Sequence, residues 1–140
     1  MIKPLILFAV TFAFLWVAKR IFGYWPTYQV SYGAFSIVAA VIALTFFWLW
    51  ARRSTPLALG MAFGWVGAAS VMGWWWLYNL LGKPAVMSES VVLFVFLSVY
   101  FVGAVMHLEL IGRSFGVSRV TALLPVGFAI FASLVLTLLF

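Results

Sequence analysis

Apolar positions along this chain do not recur at the period of a surface helix or alternate like a half-buried strand; they run nearly unbroken between short polar interruptions. Five such runs stand out, at residues 4–22, 32–50, 57–81, 90–111 and 119–140. Each comes close to the roughly 20 apolar residues that carry a helix across the ~30 Å hydrocarbon core of a bilayer. The pattern predicts an all-α, polytopic integral membrane protein. It forms one transmembrane domain over residues 1–140, a compact bundle of five helices, or four if the first run is not a full span.

The interruptions carry stop and start signals. Gly23 and Pro26 are expected to close the first run, and Arg52, Arg53 and the Ser-Thr-Pro at 54–56 to divide the second from the third. Pro56 suits the first turn of a new helix, where its missing N–H costs nothing. Gly82, Lys83 and Pro84 end the third run; Ser88 or Ser90 is positioned to cap the fourth and Ser118 the fifth, across a turn bracketed by Gly112 and Gly116. The first run, with a basic start and an apolar middle, has the outline of a signal peptide. It is read as a retained helix, because Lys19, Arg20, Ile21 and Phe22 follow it where a cleavage site wants small residues.

Composition agrees with this solvent. Hydrophobic residues make up 68% of the chain and charged residues 7%, against roughly 25% charged in a soluble domain. The net charge of +6 would raise nucleic acid as a partner, but the bases lie in small groups at the ends of runs, so lipid headgroups are the expected contact and nucleic acid is not. Lys3, Arg52, Arg53, Arg113 and Arg119 fall on one side of the five spans, and Lys19, Arg20 and Lys83 on the other. That small excess points to a cytoplasmic N-terminus in a bacterial inner membrane. With no cysteine and one histidine, no thiolate chemistry, disulfide or His-rich metal site can be built from this chain, and no cofactor is expected.

Few residues remain for chemistry. Glu89 heads the fourth run, where an acid suits a helix N-terminus. Glu109 lies inside that run, and an ionisable residue within a span is a functional candidate. Arg113 follows four residues later on the same face, so an ion pair between them is favoured over a proton relay. His107 and Glu109 are two apart and face different ways, which excludes a dyad; His107 shares its face with Gly103 and is expected to hydrogen-bond across the bundle. His107, Glu109 and Arg113 are therefore the candidate intramembrane polar site. Gly60, Gly64 and Ala68, at intervals of four, together with Gly103, mark close helix packing. Pro125 is expected to bend the last helix and free the carbonyl of Thr121.

Aromatic residues, 20% of the chain, gather near run ends. Trp25, Trp48, Trp50, Trp74, Trp75 and Trp76 read as interfacial anchors. Three adjacent indoles fan around a helix at about 100° per residue and cannot all line one pocket. Trp75, eleven residues after Gly64, is nearly aligned with the glycine stripe on an ideal helix and is the ring expected to meet protein.

Five spans in 140 residues and the segment GVSRVTALLPVGFAIFASLVL at 116–136 resemble a single five-helix unit of the drug/metabolite transporter superfamily. That resemblance implies a small oligomeric transporter of a hydrophobic or cationic solute. The residues taken alone favour a different reading. With no set of acids, bases or ligands of paired geometry, the chain is expected to be non-catalytic, an accessory or assembly subunit of a larger inner-membrane complex, with partner subunits or further copies of itself around it. A weaker third reading is an inhibitory membrane protein that blocks a partner by helix packing.

Overall fold

The computed structural model describes residues 2–139, all of them helix or short turn. Six helices follow one another: α1 (Ile2–Phe22), α2 (Tyr24–Arg53), α3 (Pro56–Leu80), the single turn α4 (Ala85–Ser88), α5 (Val92–Ser114) and α6 (Arg119–Leu139). Five spans, α4 and α5 taken together as one, are long and apolar enough to cross a membrane.

The largest departure from expectation is at the start of α2, which begins at Tyr24 and runs for 30 residues. Pro26, expected to close the preceding helix, instead occupies the first turn of this one, where no intrahelical N–H is required. Gly23 makes the break, with φ of 87°, a conformation that strains any side chain. The polar residues of this first stretch do not stop the helix, because Thr27 and Ser31 donate their hydroxyls to the carbonyls of Gly23 and Thr27, at 2.8 and 2.7 Å. At about 1.5 Å per residue, α2 is longer than a bilayer core is thick.

The other ends follow the local chemistry. Ser54 turns left-handed and returns its N–H to the Trp50 carbonyl, and Pro56 opens α3. Two glycine-terminated ends close with the same bond five residues back, Lys83 N–H to the Tyr78 carbonyl at 2.8 Å and Val117 N–H to the Gly112 carbonyl at 2.9 Å. The Ser118 hydroxyl accepts the Thr121 N–H at 3.2 Å and caps α6. Pro125 lies within α6 without interrupting it.

The helices form a row in chain order rather than the expected compact bundle. The substantial packing is of α3 against α2 on one side and α5 on the other; α6 leans on α5, and α1 touches α2 lightly. No residue of α1 or α6 is buried. The buried positions are Gly33, Ser36, Ala39 and Ala43 on α2, Ala58, Gly60, Ala62 and Gly67 on α3, and Gly103 and Gly112 on α5. Among the described residues no large side chain is fully enclosed. The core is therefore backbone laid against backbone, and the reason is chemical. Where lipid is as apolar as leucine, a helix gains nothing by hiding a greasy face, and only a stripe of small residues brings extra dispersion contacts. Helix α1 has no glycine, and Gly127 of α6 faces open space.

Candidate functional site

Helix α3 meets α5 along a seam at Gly60, Gly67 and Trp74. A Cβ built on Gly60 would stand 3.2 Å from Met106 Cβ and 3.3 Å from the His107 backbone nitrogen. Gly67 lies against the backbone of Tyr100, and Gly103 of α5 against that of Gly64. Trp74 packs edge-on against Phe96, ring centroids 5.9 Å apart. Beside the seam opens a cleft of about 280 Å³, lined on α3 by Gly60, Gly64 and Ala68 and on α5 by Tyr100, Gly103 and His107. The structure thus brings together the four residues read from the sequence as packing positions and the single histidine.

His107 is half-buried, and its Nδ1 has neither solvent nor a hydrogen-bond partner. The bond expected across the bundle is not formed. The Gly60 turn of α3 lies against the His107 backbone, and a glycine there offers no side-chain donor or acceptor, while the backbone groups are engaged in their own helix. The cleft is an apolar slot with one imidazole in its wall and no carboxylate to orient it. Among the described residues no group of three or more metal-ligating side chains stands together.

Glu109 does not join this cleft. Its Oε1 accepts from Arg113 Nη2 at 2.6 Å and from Arg119 Nε at 3.0 Å, tying the end of α5 to the start of α6. The pair with Arg113 follows from the spacing of four. The contribution of Arg119, read from the sequence only as a topology marker, does not, since it depends on how the turn at 115–118 folds back. Gly112 allows that return, because a Cβ there would lie 2.5 Å from Ala122 Cβ. All three side chains are at least partly solvent-exposed, with 28% exposure for Glu109, 52% for Arg113 and 71% for Arg119, so this is a clamp at the end of a hairpin.

The tryptophans divide by end of the row. Trp48 and Trp50 lie near the close of α2, Trp48 under the Arg52 guanidinium at 5.9 Å. At the other end Trp25 packs edge-on with Tyr24 and Tyr28. In the triplet, Trp75 is not the ring that meets a neighbouring helix: it is the exposed one of the three and stands edge-on to Tyr78 of its own helix. Trp76 lies over Gly33 of α2, and Trp74 turns to α5 with its indole N–H unpaired. The expectation failed because it projected the stripe on a straight helix of 3.6 residues per turn. Packed antiparallel helices keep a seam of period 3.5, drifting by about 20° per heptad, and Gly60, Gly67 and Trp74 are spaced by seven.

The complementary stripe on α2, Gly33, Ser36, Ala39 and Ala43, was not singled out from the sequence, although its spacings of three and four carry the signal. Ser36 is buried because its hydroxyl bonds the Tyr32 carbonyl at 3.0 Å and so behaves as a small apolar residue facing Gly73.

Comparison with family models, curated protein sequences and solved structures returns no match for this chain. The resemblance of residues 116–136 to a transporter unit therefore rests on those residues alone.

Proposed function

We propose that this protein is a non-catalytic, multi-pass subunit of a larger bacterial inner-membrane complex, acting by helix packing, with its N-terminus cytoplasmic. The observation that carries this reading is the row itself. A single layer of helices whose outer members bury no residue has little enclosed interior, and among the described residues no three metal-ligating side chains stand together. Such a layer has two broad apolar faces for lipid and partner chains. Specificity of docking then comes from shape, through exposed rings such as Phe8, Phe94, Phe128 and Phe131.

A second reading, a small oligomeric transporter of a hydrophobic or cationic solute, draws on one feature: the α3–α5 cleft, where Tyr100 and His107 face a space of about 280 Å³. Several copies would be needed to close it. Purification in mild detergent separates the two. A subunit co-migrates with partners in fixed stoichiometry, whereas a transporter runs as a homo-oligomer and moves solute in proteoliposomes. Loss of that flux on His107→Ala or Glu109→Gln, with assembly intact, would overturn the subunit reading. Reporters fused before Lys3 and at Arg53 test the orientation, both being expected to report the cytoplasm.

A further inference from the structure

The cations stand at the two ends of the helices, and among the described residues a carboxylate reaches only two of them. At one end a single carboxylate, that of Glu109, serves Arg113 and Arg119, while among the described residues Arg52 and Arg53 at that end have no carboxylate partner and Arg52 lies over Trp48. At the other stand Lys19 and Arg20, in the last turn of α1, and Lys83, in the turn after α3. Among the described residues no carboxylate pairs with any of these three within 4.0 Å. Glu89, the other acid of the chain, lies in the turn between α4 and α5 and joins none of them.

Their neighbours are aromatic faces. Lys19 Nζ lies 5.1 Å and the Arg20 guanidinium carbon 5.3 Å from the centre of the same Trp16 ring, and Lys83 Nζ lies 6.0 Å from that of Trp25. Two full positive charges gathered on one indole repel each other. The C-terminal dipole of α1 offers them only about half an elementary charge in return. Among the described residues no side chain supplies the balancing negative charge.

Lys19 also forms part of the wall of a groove of about 290 Å³ between α1 and α2. The groove exists because the two helices part at Gly23 and touch only lightly. One wall carries Leu15 and Trp16; the other is a ladder of Tyr24, Tyr28 and Tyr32, one helical turn apart, with ring centres 6.0 and 4.2 Å from one another. From the cationic end it continues to Phe12, about two turns deeper along α1. Its section is that of an amphiphile, with cations at the mouth and rings and aliphatic carbon along the shaft.

We infer that this groove binds a phospholipid with an anionic headgroup, the phosphate held by Lys19 and Arg20 and an acyl chain laid along Leu15 and Phe12. A free anion would satisfy the cations but would leave the shaft unused, and a neutral lipid would fill the shaft but leave the charge unbalanced. The inference rests on reading these helices as membrane spans, which the need for detergent to keep the purified chain in solution tests separately.

The test uses the full chain in a mild non-ionic detergent, presented with an equimolar mixture of dioleoylphosphatidylglycerol and dioleoylphosphatidylcholine, with bound lipid read by native mass spectrometry. Phosphatidylglycerol is expected to be retained in preference. The double variant Lys19→Gln/Arg20→Gln should lower that retention on the order of tenfold, while Arg52→Gln/Arg53→Gln, the same change of charge at the opposite end, should not. Lys19→Arg should keep it. Leu15→Trp, which fills the shaft without touching the cations, should lose it and keeps the question answerable if the double variant fails to fold. Equal retention of phosphatidylcholine, equal loss at Arg52 and Arg53, displacement of the lipid by millimolar inorganic phosphate, or unchanged retention in Leu15→Trp would each overturn the proposal.

Discussion

Helices α1 and α3 are both long and apolar enough to cross a membrane, yet α3 is gripped on two sides and α1 touches one neighbour lightly. Both clear the apolarity that a span needs, so that requirement does not separate them. What separates them is that α3 carries Ala58, Gly60, Ala62 and Gly67 where its backbone can be approached, while α1 presents Leu5, Phe8, Phe12 and Leu15. Apolarity makes both helices suited to a membrane, and small residues set which of them pack together.

Substitutions at the glycines test this, read as the free energy of SDS-driven unfolding in mixed micelles by tryptophan fluorescence. The largest loss is expected from Gly67→Ala and Gly103→Ala. Each places a Cβ against a neighbouring backbone, of Tyr100 and of Gly64, that has no flexible end to yield, and overpacking of this kind costs about 1–3 kcal/mol. Gly112→Ala should cost less, about 1 kcal/mol, because the Ala122 methyl it meets belongs to α6, a helix free to lean away. Glu109→Gln should cost no more than about 1 kcal/mol, since both of its arginines are well exposed.

The smallest effect is the most diagnostic. Gly64 sits in the same sequence stripe as Gly60, but a Cβ added to it meets nothing within 4 Å, so Gly64→Ala should be neutral or stabilise by up to about 1 kcal/mol through helix propensity. Gly127→Ala on α6 should behave the same way. A loss of more than about 1 kcal/mol at Gly64, well beyond that propensity term, would mean that the seam is not where α3 and α5 meet.

Much of the helix map was legible in the chain. The third run and helix α3 agree within a residue at each end, and the turns at Gly82 and Gly116 stand where glycine was read as a stop. The start of α2 was not legible, because a proline breaks a helix from within and opens one from its first turn, and residue type alone does not say which. The ion pair of Glu109 with Arg113 could be read because both belong to one helix. Arg119 could not, because its place depends on a turn in three dimensions. The Trp75 expectation failed for a related reason: a helix read by itself is straight, whereas the seam between two packed helices drifts around each of them.

Within a single helix, geometry repeats every few residues, so most of the helical segments, their fitness for a membrane and the residues that share a face in each can be read along the chain. What depends on the packing in three dimensions is that the helices stand in an open row, that a methyl group has no room at Gly103 but has room at Gly64, and that Glu109 draws in Arg119 as well as Arg113. Those outcomes depend on where a second backbone lies to within a methyl group, and no period along one chain encodes that distance.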